Sequence, residues 1–215
     1  MKRRFSLLVI ILFPVFSVPA EKHDAFAKIS GKKLIIPEAN LELTLYGWEY
    51  YVDPKALDIA TEEAYSTLDM TNAEATYSAA NTALKFYLLE PADKIMHGFR
   101  TNINLVLDRT VKKGTLLSDY GESQLRGYGL YLPGTRIKDS RQEIVNGIPF
   151  FIVEYEYDSP NLRHIGKKVS CHMIAYMALI NNRGYIFTAS SLKEDRKIKR
   201  PLSQMVLGSL RHGQN

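Results

Sequence analysis

The dipeptide Asn146-Gly147, set between two long alternating stretches, constrains this chain more than any other feature. Both central positions of a two-residue hairpin turn favour positive φ, and Asn-Gly supplies it with least strain. Thr135–Val145 before the turn reads as one strand. Ile148–Tyr157 after it returns, with Val153, Tyr155 and Tyr157 on one face and Glu154 and Glu156 on the other. A basic loop, Ser159–Lys168, leads to a third strand over Val169–Ile180. Asn181-Asn182-Arg183-Gly184 is a second tight turn, and Tyr185–Ser191 is a fourth strand. Four consecutive strands joined this way form an antiparallel meander.

The rest of the chain has to fit around that meander. Leu34–Pro37 and Leu41–Trp48 read as an opening hairpin, the second run alternating Leu41, Leu43 and Leu45 with Glu42, Thr44 and Tyr46. Asp53-Pro54 has the residue types of a helix start and predicts a helix through Ala56–Leu68, followed by a small, polar excursion over Asp69–Asn81. Ala83–Leu89 and Asn102–Leu107 are strands. Thr115–Tyr131 has helical spacing, weakened by Gly121, Gly127 and Gly129, each of which costs about 1 kcal/mol against Ala inside a helix. Pro201 opens a last helix with Leu202, Met205, Val206 and Leu210 on one face. The expected class is α+β: one antiparallel sheet of about six to eight strands with helices on its faces, an α/β/α sandwich. A single domain is expected over 34–211, with a short tail at 212–215.

Residues 1–20 read as a secretory leader. Lys2, Arg3 and Arg4 precede the apolar run Phe5–Val18, and Val18-Pro19-Ala20 places small residues before a cleavage point at Glu21. The run is interrupted by Pro14 and is shorter than the roughly 18–20 apolar residues a membrane anchor needs. The expectation is an exported protein, periplasmic or secreted, that is not an integral membrane protein after cleavage, with a mobile lead-in over 21–33. The full chain has 28 basic and 23 acidic residues; losing the three leader cations leaves 25 against 23. That balance gives no support to a nucleic-acid partner. A single cysteine, Cys171, excludes an intramolecular disulfide, and on a strand it points away from its neighbour His172 and is expected to be buried.

These features together resemble the Mog1/PsbP-like proteins. The resemblance rests on the hairpin Leu34–Trp48, the strand Asn102-Ile103-Asn104-Leu105-Val106 before a helix, and the turn Asn146-Gly147-Ile148-Pro149-Phe150. The segment Asn182-Arg183-Gly184-Tyr185-Ile186-Phe187-Thr188 and the closing helix complete it. It spans roughly Leu34–Leu210 and implies an α/β/α sandwich and a non-catalytic module. Relatives include a photosystem II extrinsic subunit, a nuclear-transport GTPase partner and many exported bacterial proteins. No functional residue transfers position by position.

Catalytic motifs are absent: there is no paired-His zinc helix and no Gly-x-Ser-x-Gly elbow, and Gly127-Tyr128-Gly129 lacks the third glycine of a dinucleotide loop. No cofactor and no metal site is expected, since the histidines form no pair at i, i+2 or i, i+4. Glu154 and Glu156 share a strand face about 7 Å apart, a spacing open to acid–base work, although an exposed strand face or pairing with basic side chains accounts for them more simply. The tyrosines around Trp48 (Tyr46, Tyr50 and Tyr51) suit either an interface or packing beneath a helix. One constellation stands out. An up-and-down meander brings loops 159–168 and 192–200 to one end, gathering Arg163, Lys167 and Lys168 with Lys193, Arg196, Lys197, Lys199 and Arg200. The expected function is an exported, non-catalytic binding module contacting an acidic protein or an anionic envelope component through this end. The alternatives are a small exported hydrolase using Glu154 and Glu156, and a structural accessory subunit of an envelope complex recognised through its tyrosines.

Overall fold

The computed structural model describes residues 26–52, 82–131, 134–159 and 169–213. The leader, the helix expected over Ala56–Leu68 and the basic residues Arg163, Lys167 and Lys168 lie outside the described residues. The meander forms as read: β7 (Arg136–Val145), β8 (Ile148–Ser159), β9 (Val169–Ile180) and β10 (Arg183–Leu192) are consecutive antiparallel neighbours. Asn146 and Gly147 take φ of 49° and 82°, the left-handed pair the turn requires. The Asn146 side chain also donates to the Gly208 and Leu210 carbonyls at 2.8 and 2.9 Å.

Three earlier strands complete a seven-stranded sheet. β4 (Glu49–Tyr51), β5 (Thr82–Leu89) and β6 (Asn102–Asp108) extend it in the order β4-β5-β6-β10-β9-β8-β7. Helix α1 (Leu117–Tyr131) carries the chain from β6 in the middle of the sheet to β7 at its edge. Alternation then sorts the core. Phe151, Val153 and Tyr155 of β8, with Cys171, Met173 and Ala175 of β9, face α1, and the Tyr128 ring stacks on Tyr155 at 4.7 Å. Gly121 explains why a glycine is tolerated in α1: a Cβ there would stand 2.1 Å from the Phe151 ring.

The other face holds a larger core. Phe150, Ile152, Ile174, Tyr185 and Phe187 meet a second, four-stranded sheet, β1 (Lys28–Ser30), β2 (Lys33–Ile36), β3 (Leu41–Thr44) and β11 (Arg211–His212), and helix α2 (Arg196–Leu207). The fold is α+β, as expected. The opening hairpin is β2–β3, and it belongs to this smaller sheet instead of lengthening the large one. Two local expectations are corrected. The lead-in is structured from Phe26 on, with Phe26 and Ala27 buried and Lys28–Ser30 paired to β2. Helix α2 starts before Pro201 and turns Lys199, Ser203, Val206 and Leu207 inward, leaving Met205 43% exposed. Pro201 lies within the early turns of α2, where Lys199 and Arg200 are anchored to the buried acids Glu90 and Glu154. Among the described residues no helix is long and apolar enough to cross a membrane.

Candidate functional site

The end of the large sheet opposite Asn146-Gly147 is where charge concentrates. Leu192 pairs with Cys171, and Lys193 N–H donates to the Ser170 carbonyl at 2.9 Å, so the end of β10 lies beside the start of β9. Ser159 pairs with Val169 at the same end. Glu156 of β8 is buried here, not on a solvent face. Its Oε2 lies 3.0 Å from Lys193 Nζ, 3.4 Å from Lys138 Nζ and 3.4 Å from Arg136 Nε, and Arg196 is 3.8 Å from Oε1. Burial is the largest single influence on the carboxyl and pushes its pKa up, but the Lys193 and Lys138 contacts outweigh it and hold the group below the usual carboxylate range. Glu156 is therefore an ionised counter-charge at neutral pH. It is not poised as a general acid.

Glu154, two residues back on the same face, is buried as well. Its Oε1 accepts from His172 Nε2 at 2.8 Å, and its Oε2 accepts from Arg200 at 2.8 Å. Burial lowers the His172 pKa despite Glu154, and Arg196 and Arg200 add to that, so the ring is neutral near pH 7. Lys199 departs furthest from expectation. It is 1% exposed and lies 2.7 Å from Glu90, itself 1% exposed, while Lys94 offers it a carbonyl. Glu90 also accepts from Thr101 N–H at 2.8 Å. Lys199 is thus a structural buried cation and no part of an exposed patch. Lys197 is exposed, whereas Lys193, Arg196 and Arg200 hold acids with partly exposed side chains. Asp195 is buried against His97 Nδ1 at 2.8 Å.

Two participants escaped the sequence reading, Arg136 and Lys138 on edge strand β7. A bulge between Ile137 and Asp139 shifts the register there and sets Arg136 opposite Glu156. Arg136 also grips Asp158 at 3.0 and 3.1 Å. Cys171 is buried on the opposite face from His172, as expected, and burial pushes its thiol up to about 12. Trp48 is buried and Tyr50 packs against the core, while Tyr46 stands exposed. Among the described residues no group of His, Cys, Asp and Glu has a metal-binding arrangement. A depression of about 300 Å³ at the opposite end, lined by Lys112, Thr115, Leu179 and Asn181 among others, holds no acid or histidine.

No family model matches the chain, and no curated protein matches it. Among solved structures, cyanobacterial PsbP (CyanoP) from Synechocystis sp. PCC 6803 is similar with a TM-score of 0.53 at 12% identity, over 92% of this chain and 98% of that one. The chain therefore has the Mog1/PsbP-like fold; at this identity the likeness is one of fold alone. Two further likenesses are weaker. LpqN, involved in cell envelope biogenesis of Mycobacterium tuberculosis, gives a TM-score of 0.41 at 12% identity, over 61% of this chain and 78% of that one. A Pseudomonas aeruginosa protein of unknown function gives 0.46 at 14%, over 57% and 78%.

Proposed function

We propose that this chain is an exported accessory module without catalysis that contacts an anionic partner, an acidic protein or an anionic envelope component, through the cation-rich end of its large sheet. The observation that carries the reading is the convergence of Arg136, Lys138, Lys193 and Arg196 on one buried carboxylate, with each cationic side chain still 41–48% exposed. The cations satisfy the fold and keep donors facing water. The proposal extends this surface to the exposed Lys197 and to Arg163, Lys167 and Lys168, and it excludes Lys199. The leader pattern of residues 1–20 and the PsbP-like fold support export and an accessory role. The burial of Glu154 and Glu156 beneath cations weighs against the hydrolase alternative.

The test compares two fourfold variants of equal charge change. One replaces Lys138, Lys193, Arg196 and Lys197 by Ser; the other replaces the exposed Lys28, Lys32, Lys112 and Lys113. Retention on an anionic matrix at low salt is expected to collapse in the first and to persist in the second, because screened local attraction depends on where the charges stand. Equal loss in both overturns the reading, and so does the absence of retention by the unaltered protein.

A further inference from the structure

We propose that the outer side of the ring formed by Arg136, Lys138, Lys193 and Arg196 is a binding site for a phosphoryl group, with Glu156 as a built-in counter-ion that organises the ring and competes with the ligand. The inference rests on the reading of this end as an anion-contacting surface and narrows it to one chemistry. Three nitrogens from three side chains lie within 3.4 Å of one oxygen, Glu156 Oε2. They therefore surround a space the size of a single anionic group. An extended acidic peptide would instead call for cations spaced along a path.

Donor capacity points outward. An ammonium has three N–H donors and a guanidinium five, and Glu156 needs only one from each. Lys138, Lys193 and Arg196 keep donors to spare, whereas Arg136 spends most of its own on Glu156, Asp158 and the Gly134 carbonyl. Charge points to the same ligand. Four cations face two acids, Glu156 and Asp158, which leaves a surplus of two. A phosphate monoester carries about −1.5 to −2 at neutral pH and presents three acceptor oxygens, which matches that surplus; a lone carboxylate does not. The neighbouring acid Glu154 is already matched by Arg200.

Removing Glu156's charge distinguishes this site from a generally basic surface. Inorganic phosphate titrated into the full chain by calorimetry at low salt is expected to bind saturably. Affinity should rise about tenfold in Glu156→Gln, fall at least tenfold in Lys138→Met/Lys193→Met, and stay unchanged in Lys112→Met/Lys113→Met. Thermal melting accompanies each variant; should Glu156→Gln not fold, the two lysine pairs alone decide. No saturable phosphate binding, or equal loss from both pairs, overturns the proposal. If phosphate fails while the ring variant still loses matrix retention, this inference falls and the broader reading stands; loss of neither removes both. Vesicles containing phosphatidic acid, whose headgroup is a phosphate monoester, matched against phosphatidylcholine vesicles report whether a lipid headgroup supplies the group. Binding to the first alone, abolished in the ring pair, supports the proposal, and equal binding to both counts against it.

Discussion

At the scale of single residues, the site is governed by which buried groups carry charge. His172 is neutral because its burial outweighs the pull of Glu154, and the cations Arg196 and Arg200 also disfavour a charged ring. Its folded pKa lies below the unfolded value of about 6.5, so protonation favours the unfolded chain. The contribution is complete above about pH 6.5 and is lost as pH falls toward the folded value. Glu156 is shifted down as well, which for a carboxyl favours the charged form, so its contribution is present above about pH 4.5 and is lost as pH falls below that value. Between pH 7.5 and 5.5 the urea midpoint is therefore expected to decline, with a flatter decline in His172→Gln. Identical slopes in the two proteins would show that His172 is not the group responsible. The sequence placed Glu154 and Glu156 on one strand face and turned His172 away from Cys171, but it could not say what faced them. Counted back from Asn146-Gly147 in regular register, Arg136 falls opposite Tyr157; the bulge near Lys138 moves it to Glu156, and no residue type there announces a bulge.

At the scale of elements, α2 joins the layers through charge as well as apolar packing. Lys199 and Glu90 are both fully buried, so truncating one leaves the other without a partner in a medium that solvates it poorly. Lys199→Met is expected to cost about 3–5 kcal/mol in chemical denaturation. Glu90→Leu combined with Lys199→Met should recover much of that loss, since well-packed apolar pairs replace buried ion pairs at little cost. A double variant as unstable as the single one would mean that packing around Lys199, not its charge, is what matters. The meander, α1 and the opening hairpin were legible because alternation and turn residues are local signals. The start of α2 was not. Its first turns read Arg-Lys-Ile-Lys-Arg, a solvated-looking run followed by proline, and the acids that pair with Lys199 and Arg200 there, Glu90 and Glu154, are distant in sequence. The separation of β2–β3 into a second sheet was equally hidden, because a strand's alternation does not name its partner.

For the molecule as a whole, the large sheet is closed from one side by α1 and from the other by material at both ends of the described chain. Phe26 and Ala27 enter the same core as Val206, Leu207 and Leu210. Deleting 196–215 is expected to leave a protein that binds a hydrophobic dye and melts without a sharp transition, because β3 keeps β2 but loses β11, and the Phe150–Ile174–Phe187 face loses the part of its cover that α2 supplies. A sharp melt in the truncated chain would defeat that expectation. The hydrogen bonds from Asn146 to the Gly208 and Leu210 carbonyls carry a consequence in time. The hairpin tip is complete long before its acceptors leave the ribosome or, if the chain is exported unfolded, before they have crossed the membrane. The larger core includes Val206, Leu207 and Leu210, so it cannot be sealed before that late segment of the chain has been delivered.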